Sequence, residues 1–297
     1  MLAKKSSISI VEKIIAKLLF ISALVSVITL AGILGTLLFE AVSFFQHITI
    51  LDFFTGTRWT PMFKPAYFGV LPLVSGTLLV SAVALSVGVP VGLGTAIFLS
   101  EYAPEKLRRT IKPVLEILAG VPTVVYGYLA IVFVTPQLQK IFDGMIVFNA
   151  LSAGIVMGIM IIPMVASLSE DAMIAVPRTL REGAYALGAK KFEVAIRVVI
   201  PSAISGIMAS VILATARAIG ETMIVSMAAG STPRLTLNPI ESIQTMTGYI
   251  TQISLGEATY GSIEYQTIFA VGITLFLIVF VINLIGNLIT GKFRERY

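Results

Sequence analysis

Six long apolar runs divide this chain into segments that belong in a lipid bilayer. The runs cover residues 18–39, 74–99, 114–134, 150–168, 203–227 and 267–289. Each holds about 20 residues, which at roughly 1.5 Å rise per residue cross a hydrocarbon core about 30 Å thick. Because backbone groups in lipid must form hydrogen bonds within their own segment, such runs fold as helices. The sequence therefore predicts an all-α polytopic membrane protein with six transmembrane helices.

The composition excludes a water-soluble globule and several kinds of chemistry. Of the 297 residues, 57% are hydrophobic and 12% are charged, and no second soluble domain or low-complexity linker is visible. We therefore interpret residues 1–297 as a single integral-membrane domain with a core of about residues 72–290. The absence of cysteine rules out disulfides and thiolate ligands, and the single histidine, His47, is given no role. The prediction is that the chain holds no metal, no cofactor and no catalytic residue.

The positive residues predict the orientation of the chain in the membrane. Sixteen of its 21 lysines and arginines lie in the N-terminal segment, the second and fourth loops and the C-terminal tail. Four lie in the first, third and fifth loops, and Arg217 lies inside an apolar run. By the positive-inside rule, both termini and the fourth loop face the cytoplasm. The net charge of +5 thus reflects topology and suits contact with membrane lipid, and it is no argument for nucleic-acid binding.

A charged island, EGAYALGAKKFEVAIRVVIP at residues 182–201, separates two of the apolar runs. It predicts a helix over residues 181–187, a change of direction at Gly188, a second helix over residues 190–199, and Pro201 opening the next helix. From the residues alone, an amphipathic loop that binds a partner is favoured over a solvated turn. Residues 183–190 superficially resemble a phosphate-binding loop, but no Ser or Thr follows Lys190, so nucleotide binding is rejected here.

Two charged residues, Arg217 and Glu221, lie within the fifth apolar run in ARAIGETMIVS. Their spacing of four predicts a shared helix face, on which the opposite charges offset part of each other's desolvation. One interpretation is a structural ion pair. The favoured one is a guanidinium that faces a water-filled path and holds an oxyanion through its bidentate fork, while Glu221 positions it. Gly220 between them allows another backbone or the substrate to come close.

The third apolar run contains EILAGVPTVVYG at residues 116–127. Pro122 removes a backbone donor and Gly120 loosens the turn before it, so the sequence predicts a kinked or broken helix there. A break of this kind in a transporter exposes backbone groups and the Thr123 hydroxyl to a polar route, with a simple packing kink as the alternative. Earlier in the chain, Gly88, Gly92 and Gly94 indicate close helix contacts.

The two outer loops are also informative. Aromatic residues are concentrated in residues 47–72, which suits the boundary between membrane and water. In residues 239–255 apolar residues recur at helical spacing, which predicts a re-entrant or interfacial helix.

The charged island resembles the EAA loop of ABC importer permeases. The family pattern falls on Glu182, Gly183, Ala184, Gly188, Ile200 and Pro201, with Gly183 standing where alanine is usual. The resemblance implies the type I ABC importer permease fold. It also implies that this loop, with Lys190 inside it, is a coupling helix that sits in a cleft of an ATP-hydrolysing subunit.

The match extends, in order, over nearly the whole chain. RWTPMFKPAYFGVLPLVSGTL, EILAGVPTVVYG, ARAIGETMIVSMAAG and TMTGYI together resemble the PstC family of phosphate-importer permease subunits. This resemblance implies a PstA-like permease partner, two PstB-like ATPase subunits that bind ATP and Mg, and a PstS-like phosphate-binding protein. It also implies that Arg217, Glu221, Gly220 and Thr123 line a phosphate path in an inner membrane.

Three alternatives remain open at this point. A permease for molybdate or sulfate shares the coupling loop. A self-contained secondary transporter is disfavoured because no inverted repeat is visible and the EAA-like loop would lack a purpose. A membrane-bound sensor scaffold is compatible with transport.

Overall fold

The computed structural model of the protein describes the backbone of residues 3–292 and the side chains of residues 11–256 and 258–291. Over this range the chain is helical, and its only strand-like contact is an isolated bridge between Trp59 and Phe68. The helices are α1 Ala3–Phe45, α2 Ile50–Thr55, α3 Leu71–Ile97, α4 Glu105–Ala119, α5 Thr123–Leu129, α6 Thr135–Gln139, α7 Ala150–Ile174, α8 Arg178–Ala186, α9 Lys191–Val194, α10 Ile200–Ile219, α11 Met223–Ala228, α12 Met246–Gln252 and α13 Ile263–Lys292. Turns of π-helix at Phe98–Tyr102, Ala130–Val134, Ala195–Val199 and Ile253–Glu257 extend or join them.

Five helical stretches are long and apolar enough to cross a membrane: Val11–Phe45, Leu71–Tyr102, Ala150–Ile174, Lys191–Ile219 and Ile263–Gly291. They correspond to five of the six apolar runs. The pair Glu105–Ala119 and Thr123–Gln139, which meet at 87°, is either a sixth, broken span or a re-entrant loop. The predicted all-α polytopic membrane fold is confirmed, with five spans, or six when the bent pair counts as one.

The bend between α4 and α5 lies where the sequence predicts it. Gly120 ends α4 with helical angles, and Pro122 precedes α5 in an extended conformation. The hydroxyl of Tyr126 donates to the carbonyl oxygen of Leu118 at 3.1 Å across the break, so one orphan carbonyl is satisfied. Because α4 begins at Glu105, is amphipathic and has no buried residue, the apolar run 114–134 is not one straight helix.

The centre of the bundle is the packing of α3 on α7, where small residues let the two backbones approach. A Cβ at Gly88 would lie 2.4 Å from the side chain of Ile161 and 2.7 Å from the carbonyl oxygen of Gly158. Gly92 is equally tight against Val165, whereas a Cβ at Gly94 would meet no atom within 4 Å. Close helix contact is therefore confirmed for Gly88 and Gly92 and wrong for Gly94.

The aromatic loop, residues 47–72, is more deeply buried than the sequence suggests. Phe53 and Trp59 are fully buried beside Phe44 of α1, and the Trp59 ring meets the Tyr249 ring of α12 edge to face at 5.0 Å. Phe63 stays 70% exposed. The two buried rings form a second apolar core because the loop folds over the ends of α1, α3 and α13. The location of this loop at the membrane–water boundary stays a prediction.

The predicted helix over residues 239–255 is shorter than its apolar spacing suggests. It begins at Met246 because the Thr245 hydroxyl caps it by accepting from the Gly248 N–H at 3.0 Å. Before it, Asn238 and Arg234 bind the two carboxylate oxygens of Glu241. These contacts, the Asn238 hydrogen bond first, lower the pKa of Glu241. Helix α12 packs in the bundle, with Met246, Thr247 and Tyr249 buried, and its re-entrant or interfacial location in the membrane stays a prediction.

The EAA-like loop, residues 178–201, follows the predicted order with one correction. Helix α8 ends at Ala186, and Gly188 adopts φ +84°, the left-handed conformation that favours glycine. The second helix begins at Lys191, where Glu193 accepts from the Lys190 N–H at 2.8 Å. Pro201 lies in the first turn of α10, as predicted. The correction is that the second helix continues through a π-helical turn into α10 without a break between them.

Candidate functional site

The fifth membrane helix breaks between Arg217 and Glu221. Helix α10 ends at Ile219, Gly220 caps it, and α11 restarts at Met223. The two charged residues therefore lie on different segments, and no ion pair between the described side chains joins them. The predicted shared helix face is wrong, because the backbone turns at Gly220 before Glu221 is reached.

Glu221 is a buried carboxylate that caps the restarted helix. It is 9% exposed, and its Oε1 accepts from the backbone N–H groups of Met223 at 3.0 Å and Ile224 at 3.3 Å. These groups are the orphan donors that every helix start leaves, and a negative charge at this end is favourable. Glu221 therefore stabilises the break itself, and its negative charge does not neutralise Arg217 through direct contact.

Arg217 keeps its donors free. The side chain is partly buried in the last turn of α10, and among the described residues it makes no hydrogen bond and no ion pair. A partly buried guanidinium without a carboxylate partner is costly unless water or a ligand solvates it. Beyond it, Gly220 is exposed, and a Cβ there would meet the carbonyl oxygens of Ala216 at 3.3 Å and Arg217 at 4.0 Å. This end of α10 can therefore hold an anion through the planar guanidinium fork.

The break is tied to α12 by a buried hydroxyl that sequence reasoning missed. Thr247 donates to the carbonyl oxygen of Glu221 at 2.7 Å, and the Met246 N–H donates to Thr77 of α3 at 2.9 Å. Two residues further along α12, Tyr249 meets Trp59. A path of contacts thus runs from the aromatic loop to the break. The only signal for this connection in the sequence was the concentration of Thr residues around Met246.

Thr247→Val is expected to weaken this connection. The change keeps the side-chain shape but leaves a buried carbonyl without its donor, which costs about 1–3 kcal/mol. Thermal unfolding of the purified protein in detergent should therefore occur at a lower temperature. The control is Thr251→Val in the same helix, whose hydroxyl bonds only to the carbonyl of Thr247 within α12. Equal unfolding temperatures for the two variants would contradict a special role of Thr247.

A second break, at Gly120 and Pro122, lies at the start of α5, and α5 packs on α11. Gly127 makes this contact possible, since a Cβ there would lie 2.9 Å from the sulfur of Met227. Thr123 is the first residue of α5 and is partly buried, with no polar contact among the described residues. The structure thus brings the two helices that follow the breaks together.

The EAA-like loop presents an apolar surface that no described residue of this chain covers. Leu187 is 91% exposed and Phe192 is 64% exposed, with Tyr185 beside them. Glu182, Gly183, Lys190 and Pro201 are also exposed, whereas Ala184 packs against the apolar cluster around Met173. Exposed apolar side chains mixed with charges are typical of a protein-binding surface.

A buried carboxylate, Glu170 near the end of α7, holds α4 in place and was not predicted. Its side chain is fully buried and pairs with Arg108 at 2.8 Å and Lys112 at 2.9 Å. Lys112 also binds Asp171. Arg108 and Lys112, which the sequence analysis used only to predict orientation, thus hold the amphipathic helix α4 against α7. The available signal was a Glu two residues after the apolar run 150–168, whereas Glu221 lies inside its run.

Glu170→Gln should lower stability measurably. Removing one partner of a buried ion pair costs roughly 3–5 kcal/mol, and Arg108 and Lys112 reach water, so we expect about 2–3 kcal/mol here. The unfolding temperature in detergent should fall. Glu116→Gln, at an exposed carboxylate of α4, serves as the control. If both variants unfold like the native chain, Glu170 does not hold α4.

Among the described residues, no cluster of histidine, aspartate and glutamate side chains could hold a metal ion.

The comparisons with known proteins agree with this fold. The family model described as "binding-protein-dependent transport system inner membrane component" matches residues 88–296. A solved bacterial alginate ABC transporter in complex with a periplasmic protein bound to an alginate pentasaccharide has a similar chain, with a TM-score of 0.66, 17% identity, and coverage of 93% of this chain and 94% of that one. A chain of the MetNI methionine ABC transporter has a TM-score of 0.55 and 19% identity, with coverage of 76% of this chain and 95% of that one. At these identities the likeness concerns the fold alone.

Relatives found by sequence have higher sequence identity to this chain than these solved structures do. The probable ABC transporter permease protein YqgH of Bacillus subtilis is 33% identical over 93% of this chain and 87% of its own. Phosphate transport system permease proteins PstC of Mesorhizobium japonicum and Haemophilus influenzae are 35% and 30% identical over 80% and 96% of this chain, and 77% and 95% of their own.

Fold and relatives define a multi-pass permease subunit of an ABC importer in the inner membrane. The chain belongs to the family of binding-protein-dependent transport system inner membrane components.

Proposed function

We propose that this chain is the permease subunit that carries inorganic phosphate through the membrane in a PstC-type importer. The observation that carries the proposal is the free guanidinium of Arg217 at the end of α10, in a chain that is similar to PstC proteins over most of its length. A tetrahedral oxyanion needs paired donors and positive charge, and a guanidinium supplies both.

The break between α10 and α11 gives the anion room and a defined position. Glu221 is occupied by backbone donors of α11, so its charge holds the break without covering the Arg217 donors. A carboxylate close to the path also discourages overly tight binding of phosphate, because like charges repel. Gly220 leaves the approach to Arg217 open, and the Thr123 hydroxyl at the second break adds a polar group to the same path.

The proposed orientation places both termini and the EAA-like loop in the cytoplasm and the aromatic loop outside. The single permease domain spans residues 1–297, with the core at about residues 72–290. In this orientation the EAA-like loop meets the ATPase, and the aromatic loop lies on the side from which substrate arrives.

The proposed assembly contains a PstA-like permease, two PstB-like ATPase subunits and a PstS-like phosphate-binding protein. The exposed side chains of Leu187 and Phe192 favour docking of the EAA-like loop into a cleft of an ATPase. ATP and Mg are bound by that subunit, and this chain has no nucleotide site of its own. Nucleotide binding drives alternation between outward-open and inward-open states, which moves phosphate past Arg217.

The substrate is tested by competition. Cells that lack their other phosphate importers and express the complete complex take up labelled phosphate, and unlabelled phosphate, sulfate and molybdate are added in turn. Competition by phosphate alone is the expected result. Competition by sulfate or molybdate at equal concentration would assign the permease to another oxyanion. Purification of the complex under native conditions, with identification of the chains that accompany this one, tests the partners.

A further inference from the structure

We propose that Arg181 is the positioning residue that transmits movement of the EAA-like loop to the membrane helices. This inference rests on the proposed coupling of the loop to an ATPase.

The Arg181 guanidinium makes three contacts outside its own helix. Nη1 donates to the carbonyl oxygen of Val176 at 2.6 Å, and Nη2 donates to that of Met173 at 2.7 Å. Nη2 also pairs with Glu101 at 3.1 Å, and the two side chains are 16% and 5% exposed. Glu101 belongs to the π-helical turn that ends the span of α3. One side chain of α8 thus joins the ends of α3 and α7.

These contacts suit the end of a helix. The last carbonyl groups of a helix have no donor within it, and positive charge is favourable there. Glu101 adds a carboxylate that would be costly to bury alone. The planar fork satisfies all three acceptors together, which an ammonium group on a flexible stem cannot do with the same geometry.

No other polar side chain of α8 makes such a contact. Arg178 and Glu182 are exposed and, within the described part of the chain, have no hydrogen bond or ion pair. Apart from Arg181, α8 meets the bundle through small apolar contacts such as Ala184. Its backbone connections are short and include Gly188 in the left-handed conformation. Arg181 is therefore the side chain that ties α8 to the bundle by polar contacts, beside the apolar packing of Ala184.

From α7 the connection continues to the anion site. Helix α7 packs on α10, where Ser169 and Ser210 share a buried hydrogen bond of 2.7 Å and Gly206 lies against Ala172. Helix α10 carries Arg217 at its far end. A displacement of α8 that Arg181 passes to α7 therefore reaches the helix that positions the guanidinium.

The test compares Arg181→Met, Arg181→Lys and the control Arg178→Met in the complete complex reconstituted in liposomes. The phosphate imported per ATP hydrolysed is measured on assembled complex only. For Arg181→Met we expect ATP hydrolysis to continue while this ratio falls about tenfold, because a charge-assisted network has been lost. Arg181→Lys should be intermediate, and Arg178→Met should equal the native chain. A lower yield of complex with an unchanged ratio would reduce Arg181 to a structural role and overturn the proposal.

A second measurement does not depend on phosphate. The chain has no cysteine, so cysteines introduced at Gly183 and Tyr102 can carry spin labels that report the distance between α8 and the end of α3. In the native background, nucleotide binding to the complex should leave this distance narrowly distributed. In the Arg181→Met background, the distribution should broaden. An equally narrow distribution in both would overturn the proposal even if transport of phosphate had been confirmed. Broadening without any phosphate uptake by the native complex would refute the proposed substrate and leave this inference standing.

Discussion

Replacing Arg217 with glutamine is expected to abolish phosphate uptake. The variant keeps a polar side chain but loses the positive charge and the planar pair of donors. Hydrogen bonds to charged groups contribute about 1.5–3 kcal/mol each, so the loss of the fork corresponds to a fall of roughly a hundredfold or more. The measurement is labelled-phosphate uptake, normalised to the amount of complex in the membrane.

Arg217→Lys separates charge from geometry. It keeps the charge and loses the fork, so uptake should fall about tenfold and not vanish. The control is Arg234→Gln, at an exposed loop arginine whose contact is with Glu241, and it should transport normally. Equal loss in Arg217→Lys and Arg217→Gln would mean that this position tolerates only arginine for reasons of packing.

Glu221→Gln should have an intermediate effect. Glutamine can still accept from the N–H groups of Met223 and Ile224, but without the charge that favours this helix start. Because Glu221 does not contact Arg217, the double variant Arg217→Gln with Glu221→Gln should be at least as inactive as Arg217→Gln alone. Recovery of uptake in the double variant would establish a structural ion pair and contradict the oxyanion path.

Gly188→Pro is expected to abolish ATP hydrolysis that depends on substrate, with insertion into the membrane intact. Gly188 has φ +84°, whereas proline requires about −65°. The Gly188 N–H also donates to the carbonyl oxygen of Tyr185 at 2.9 Å, and proline has no N–H. The change therefore redirects the end of α8 and moves Leu187 away from its docking position. The measurement is ATP hydrolysis by the purified complex, with and without the loaded binding protein.

Gly183→Ala in the same loop is the matched control. Gly183 lies inside α8, a Cβ there would meet no atom within 4 Å, and alanine favours a helix by roughly 0.5–1 kcal/mol. The Gly183→Ala complex should show normal stimulation of ATP hydrolysis by the loaded binding protein. The Glu182→Lys complex should not, because this change reverses an exposed charge on the docking surface. Normal stimulation of ATP hydrolysis in both Gly188→Pro and Glu182→Lys would show that this loop does not couple the permease to the ATPase.

The sequence predicted those parts of the fold that depend on local pattern. The apolar runs correspond to the spans, because lipid imposes helix on any segment of that length and polarity. The break at Gly120 and Pro122 follows from residues that end a helix in any surroundings. Likewise, Gly188 turns the chain because its backbone conformation excludes other residues.

The parts that depend on long-range contacts were not predictable in the same way. Spacing alone placed Arg217 and Glu221 on one helix, but the helix ends between them, where Thr247 from a segment 26 residues away holds the carbonyl of Glu221. The partners of Glu170 and Arg181 also come from other helices. Pairings of this kind require the fold, since a sequence gives charge and spacing but not which helix ends meet.

The most direct measurement is ATP-driven uptake of labelled phosphate into liposomes that contain the purified complex of this chain with its permease partner, ATPase subunits and binding protein. We expect uptake that requires ATP, excludes sulfate and is lost in Arg217→Gln. We also expect the Arg217→Gln complex to hydrolyse ATP when the loaded binding protein is added. A native complex that hydrolyses ATP without accumulating phosphate, or an Arg217→Gln complex that accumulates it at the native rate, would contradict the central claim.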